Sequence, residues 1–337
     1  APGDFGFLSV GSGQNSDLVK ALAFQSLPFD CYQTTTGNVS TGNPQSLYDA
    51  INTRFDVYDF SSGNGTTLAS CFSGSCPAAP NVVKDLVKTD TSTTGNSCGI
   101  GNGGWALPAN QFSPHAYTLG SGGLTIMATG TIDAMGLPRD NCHYSTFGKA
   151  CGGYTAGSST DRIGNGEWAR GDYFNKYHPG SNTPVGAGTW TRYETYVWEI
   201  NAPSGPSRIP NAVPAGSNGN GNGNGNGNGN GNGNGAGNTN NQYGLPVCST
   251  GTRLPGIDRR VISVAVVENC SSLSGSSTPV TIGQWVDMFL VEPTVDARGN
   301  GSLKDSIYME VIGKTKGAGN QTTAAQTVRR DVPYLIK

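Results

Sequence analysis

Few residues in this chain have types and spacing that could do chemistry. The stretch Asp161-Arg-Ile-Gly-Asn-Gly-Glu167 interleaves oxygen ligands with turn glycines, as a hard cation such as Ca2+ requires, with Asp161, Asn165 and Glu167 as the candidate ligands. It departs from the EF-hand loop, because Ile163 stands at the third position, where an Asp or Asn ligand belongs, and Asp172 stands where the closing glutamate belongs. The same residues also fit a glycine turn that opens a helix, with Glu167 near its positive end. Asp161, Glu167 and Asp172 are the carboxylates nearest to a hydrolytic set, although loop carboxylates more commonly cap helices or face water. His115, His143 and His178 are the three histidines, and none lies in a nucleophile elbow or a metalloprotease motif. Gly313-Lys314-Thr315 imitates the end of a phosphate loop, but the first glycine that pattern requires, six residues before the lysine, is Tyr308. The glycines between 99 and 104 neither follow a strand nor open a helix, so they give no dinucleotide fingerprint. The expectation is a protein without catalytic residues or cofactor, Ca2+ being the one metal worth testing.

Composition narrows the partners. Only 13% of the 337 residues are charged and 51 are glycine, so the surface is one of Asn, Ser, Thr and Gly. A net charge of -2, with no Lys/Arg run longer than a pair, offers nothing to phosphates and argues against nucleic acid. No run of 18 apolar residues exists, so no segment is expected to span a bilayer, and no charged-then-apolar leader opens the sequence.

The eight cysteines, Cys31, Cys71, Cys76, Cys98, Cys142, Cys151, Cys248 and Cys270, suit up to four disulfides in an exported chain. Reduced buried thiols or a zinc site are the alternatives. Proximity in sequence favours Cys71 with Cys76, Cys142 with Cys151, and Cys248 with Cys270.

The elements that must position these residues are mainly strands. Arg260–Val267 is almost unbroken β-branched sequence and is expected at the centre of an antiparallel sheet, with strands at 285–291 and 307–312 beside it. Alternation puts Trp285, Asp287 and Phe289 on one face and Val286, Met288 and Leu290 on the other. Residues 191–200 also alternate and are read as a fourth strand. Helices are expected from Ser16 to Ala23 and after Asn43-Pro44, where Leu47, Ile51 and Phe55 share a face, and a short one before His178-Pro179-Gly180. The fold class is therefore α+β, a single loop-rich domain over 1–337. It is interrupted by an Asn-Gly tract, Asn218 to Gly235, with almost nothing to bury. That tract is either a loose surface loop or an extended strip in a contact between subunits.

Ordered along the chain are Gly3-Asp-Phe-Gly-Phe-Leu8, Asn52-Thr-Arg-Phe-Asp56, Pro80-Asn-Val-Val83, Pro138-Arg-Asp-Asn-Cys142, Gly164-Asn-Gly-Glu-Trp168, Thr191-Arg-Tyr-Glu194, Asp258-Arg-Arg-Val261, Val264-Ala-Val-Val-Glu-Asn-Cys270, Trp285-Val-Asp-Met-Phe-Leu290 and Arg329-Arg-Asp-Val-Pro-Tyr-Leu335. In these motifs the chain resembles the TadE/TadG-like proteins of the Flp (tight-adherence) pilus system. The resemblance implies a secreted or bacterial cell-surface protein without a catalytic centre. Such a protein would be structural or adhesive, associating with itself or with other pilus proteins, and would be a candidate fibre subunit. Members of that family usually begin with a membrane-anchoring helix, which this sequence lacks, so a processed or filament-incorporated form is implied. The rival class is a secreted glycan-binding protein or hydrolase built on Trp105, Trp168 and Trp198 with the scarce carboxylates.

Thiol titration of the denatured, unreduced chain is expected to find few free groups; eight reactive thiols would place the protein in a reducing compartment instead.

Overall fold

The computed structural model describes residues 7–8, 15–25, 36–40, 46–60, 65–82, 87–88, 98–99, 104–106, 112–118, 123–126, 136–138, 140, 164–178, 186–201, 208–209, 244–255, 258–267, 278–294 and 307–315. In chain order the elements are β1 (Phe7–Leu8), α1 (Asn15–Ala23), β2 (Thr36–Ser40), α2 (Ser46–Asn52), β3 (Val87–Lys88), β4 (Trp105–Ala106), β5 (Phe112–Thr118), β6 (Gly123–Ile126), α3 (Arg170–Tyr177), α4 (Arg192–Ile200), β7 (Val261–Val267), β8 (Thr278–Leu290) and β9 (Met309–Lys314). The fold is α+β. Its contacts define two compact units, one of Ala1–Ala79, Ser249–Leu290 and Ile307–Lys337, the other of Pro80–Cys248 and Val291–Ser306.

The first unit carries a five-stranded antiparallel sheet, and its centre is β8 rather than the apolar run of β7. At 13 residues β8 is long enough to pair with β2 along Thr278–Thr281 and then, over its second half, with β7 on one edge and β9 on the other. Length decided the position. β7 ends the strand order, and only Val261 and Ile262 are buried in it, while Val264 is half-buried and Val266 exposed. The expected alternation along β8 holds from Trp285 to Phe289, with Trp285, Asp287 and Phe289 buried and Val286 and Met288 half-buried, and it breaks at Leu290, which is fully buried at the end of the strand.

Both helices of this unit follow their sequence signals. Val19, Ala21, Leu22 and Ala23 bury one side of α1, and Leu47, Ile51 and Phe55 are fully enclosed along α2 and the 3-10 turn Thr53–Phe55 that continues it. Asp56 ends the turn in the left-handed conformation at φ 66°, which Asp tolerates better than most side chains. A disulfide joins Cys71 to Cys76, the pairing that proximity favours. Between them Gly74, at φ 99°, lets the loop close against Gly251, where any side chain would strike the Gly74 carbonyl.

The second unit contains α3, α4 and two short antiparallel ladders, β3 with β4 and β5 with β6. Here two expectations are overturned. Residues 191–200 form a helix rather than a strand, because Thr191 and Glu194 make a reciprocal capping box. The buried residues Arg192, Thr195, Tyr196 and Glu199 then recur at helical spacing. Cys248 pairs with Cys98, 150 residues away in sequence, and not with Cys270. The chain on either side is tied in the same region, with Val82 N–H donating to the Gly244 carbonyl at 2.7 Å and Trp105 N–H to the Gly99 carbonyl at 2.9 Å. Cys31, Cys142, Cys151, Cys270, Asp161, His143 and the Asn218 to Gly235 tract lie outside the described residues.

Removing the Phe289 ring from the centre of the sheet (Phe289→Ala) is expected to lower unfolding free energy by about 3–5 kcal/mol in a urea titration. Val311→Thr, at a side chain exposed on β9, is expected to change it by about 0.5 kcal/mol or less.

Candidate functional site

The charged residues that could form a site are gathered into two buried polar junctions, one in each unit. In the first unit the junction is made of arginines. α1 ends with carbonyls that no later turn can satisfy, and a cation is the natural partner for that negative end. Arg259 supplies it, donating through Nη2 to the Ala23 carbonyl, through Nη1 to that of Phe24 at 3.2 Å and through Nε to that of Pro77 at 2.9 Å. Arg54 donates through Nε to the Leu22 carbonyl and through Nη1 to the carbonyl of Arg259 itself, both at 2.8 Å. Arg260 donates through Nε to the Leu290 carbonyl at 2.8 Å while its own carbonyl accepts from Leu290 N–H at 2.7 Å. Its guanidinium lies between the rings of Phe55 and Phe289, at 4.4 and 4.7 Å from their centroids.

All three arginines are about 1% exposed, which closes them to any substrate. Burial pushes the Arg259 guanidinium down to about 10, still cationic at neutral pH, with the neighbouring Tyr58 opposing the shift. Burial also lowers Arg54, and Arg259 lowers it further. The Tyr58 phenol is pushed up, by burial first and then by the Asp56 carboxylate, and it stays a neutral donor to the Cys76 carbonyl at 2.7 Å.

In the second unit the junction is built around a carboxylate. Glu199 on α4 is 1% exposed. Its Oε1 accepts from the hydroxyl of Tyr173, within α3, at 2.6 Å and lies 2.8 Å from Nε2 of His178, which follows the last residue of that helix. Its Oε2 accepts from Asn81 Nδ2. The rings of Tyr173, Phe174 and Trp198 pack against His178, with Trp198 closest at 4.8 Å, and Trp190 in turn lies against Phe174 and Trp198. A Glu-His-Tyr set of this kind resembles acid-base machinery, but His178 is 3% exposed and Tyr173 fully buried, so the described atoms leave no approach for a substrate.

Asp140 and Arg192 form a second ion pair in this unit, at 2.6 Å, and Arg192 Nε also donates to the Pro138 carbonyl at 2.6 Å. The other oxygen of Asp140 accepts from Gly166 N–H at 2.7 Å, and Gly164 packs so tightly against this carboxylate that a side chain there would collide with it. This organises the loop that holds the candidate calcium ligands Asn165 and Glu167. Asn165 Oδ1 accepts from Glu167 N–H at 3.1 Å, and Glu167 pairs with Arg170 at 2.7 Å. The two candidate ligands inside the described residues are thus turned toward protein partners, and no group of three metal-binding side chains occurs among those residues.

No family model matches the chain, and no curated protein or solved structure matches it either. What its own geometry brings together are the sequence motifs. Asn52-Thr-Arg-Phe-Asp56 meets Asp258-Arg-Arg-Val261 at the arginine junction, where Phe289 and Leu290 of the β8 motif complete it. Pro138-Arg-Asp140, Gly164–Trp168 and Thr191–Glu194 meet around Asp140. Of the tryptophans considered for sugar stacking, Trp105 is fully buried and Trp168 is 3% exposed; Trp198 is half-buried, with Arg208 over its ring at 4.9 Å. His115 lies in β5, and Asp172 in the first turn of α3. Sequence reasoning missed Glu199 and the three arginines as the organising charges. Only the Thr-x-x-Glu box before Glu199 could have signalled that its segment was helical.

Two measurements check these junctions. Glu199→Ala strands three buried donors and is expected to cost about 3–5 kcal/mol in chemical denaturation, whereas Glu167→Ala, whose side chain is 64% exposed, is expected to stay within about 0.5 kcal/mol. The second concerns pH. Because the folded Tyr58 keeps its proton above the ordinary tyrosine range, it contributes stability that is present below about pH 10 and lost as the unfolded chain ionises above it. Tyr58→Phe is expected to flatten part of the fall in stability between about pH 10 and pH 12, measured as the difference from the wild type.

Proposed function

We propose that this chain is a non-catalytic extracellular surface protein of the Flp/Tad-type pilus system, structural or adhesive in role and a candidate fibre subunit. One observation carries the reading: among the described residues, the buried arginines of the motifs behind the resemblance are engaged in holding the fold. Arg54, Arg259 and Arg260 bond main-chain carbonyls, and Arg192 bonds Asp140. An enzyme ordinarily keeps its perturbed, chemistry-bearing groups at the wall of a cleft, where substrate reaches them. The disulfides Cys71–Cys76 and Cys98–Cys248 support an oxidising location, as expected for an exported chain. A surface low in charge and rich in Asn, Ser, Thr and Gly suits an exterior exposed to many neighbours without attracting polyanions.

The test is fractionation of the native source. Filaments sheared from cells are separated from soluble protein, probed for this chain and imaged with an antibody against it. Decoration of the filaments, or recovery of the chain in the filament fraction under non-denaturing conditions, is the expected result. A chain found only as a free monomer that cleaves an oligosaccharide panel would overturn the reading.

A further inference from the structure

Within the arginine junction of the first unit, one atom stands apart. Arg54 Nη2 is enclosed and makes no hydrogen bond to the protein, although Nε and Nη1 of the same guanidinium are bonded to carbonyls at 2.8 Å. Buried donors on charged groups are almost always satisfied, and one that finds no protein acceptor points to an ordered water or ion.

The surroundings define what could satisfy it. The acceptors bonded to Arg54 and Arg259 are the neutral main-chain carbonyls of Leu22, Ala23, Phe24, Pro77, Arg259 and, at 3.5 Å, Val261. The two guanidinia therefore repel one another, and Asp258, whose Oδ1 accepts from Arg260 N–H, offsets only part of this. Enclosure at 1% exposure leaves no path for a polyatomic anion such as phosphate or a nucleotide.

We propose that Arg54 Nη2 faces an internal site for one small hydrogen-bond acceptor, either a halide ion or a single water molecule. The acceptor completes the guanidinium that ties the end of α1 to residues 259–261. A halide would also reduce the repulsion between Arg54 and Arg259, whereas water would supply the hydrogen bond alone.

The test is a crystal structure of the full chain grown in sodium bromide, with data collected at the bromine edge. A density peak within hydrogen-bond reach of Arg54 Nη2 is expected. Anomalous signal on that peak identifies a halide; a peak without it identifies water. A second readout needs no crystal. The wild-type melting temperature is compared in sodium chloride and in sodium gluconate at equal ionic strength. A halide site predicts a saturable rise with chloride that is absent in Arg54→Met, while a water site predicts equal curves. A well-ordered Arg54 with no peak beside Nη2, or with Nη2 bonded to a protein atom, would overturn the proposal.

Discussion

A buried guanidinium calls for acceptors around its N–H groups, and the first unit is arranged around three such side chains, Arg54, Arg259 and Arg260, whose printed partners are main-chain carbonyls. An arginine carries five donors in a fixed planar fork, so its partners must converge from defined directions. Main-chain carbonyls meet this need because a helix end and two turns leave them unpaired close together. Arg259 and Arg54 take the carbonyls at the end of α1, and the carbonyl of Arg259 in turn accepts from Arg54. Hydrogen bonds to charged groups are worth roughly 1.5–3 kcal/mol each when formed, and losing one inside the protein costs comparably. Displacing any of these segments would thus leave several donors unmet at once. The stacking of Arg260 between Phe55 and Phe289 carries the same constraint to the end of β8.

The second unit meets the complementary demand. Its buried carboxyl group, Glu199, requires hydrogen-bond partners, and Tyr173, His178 and Asn81 provide them from two separate stretches of chain. Asp140 likewise gathers Arg192 and the Gly164–Gly166 turn. Polar networks of this kind specify a unique arrangement as well as stabilising it, since a shifted alternative leaves charges unpaired.

Much of this fold can be read from the chain, and the failures share a physical cause. Leu47, Ile51 and Phe55 announce a buried helical face, and the alternation of Trp285, Asp287 and Phe289 gives the inward face of β8. The misreadings arose where a short apolar pattern was judged without its context. Residues 191–200 alternate well enough for a strand, yet their Thr191–Glu194 box fixes a helix start that periodicity over ten residues cannot outweigh. β7 has the composition of a central strand, but centrality follows from how many neighbours a strand's length can reach, and β8 is longer. Cys98 with Cys248 could not be foreseen because the tertiary path that joins them leaves no mark on local spacing. The arginine junction is the least legible feature of all. Its acceptors are backbone carbonyls, present at every residue, so no side-chain type advertises them.

The dependence on carbonyl geometry is most directly tested at Arg259. Arg259→Lys keeps the charge and most of the length but replaces the planar fork with a single ammonium, which cannot reach the Ala23, Phe24 and Pro77 carbonyls together. Equilibrium urea unfolding of Arg259→Lys is expected to show a loss of about 2–4 kcal/mol, close to that of Arg259→Met measured beside it. A lysine variant as stable as the wild type would contradict this, because charge alone would then suffice to hold the end of α1.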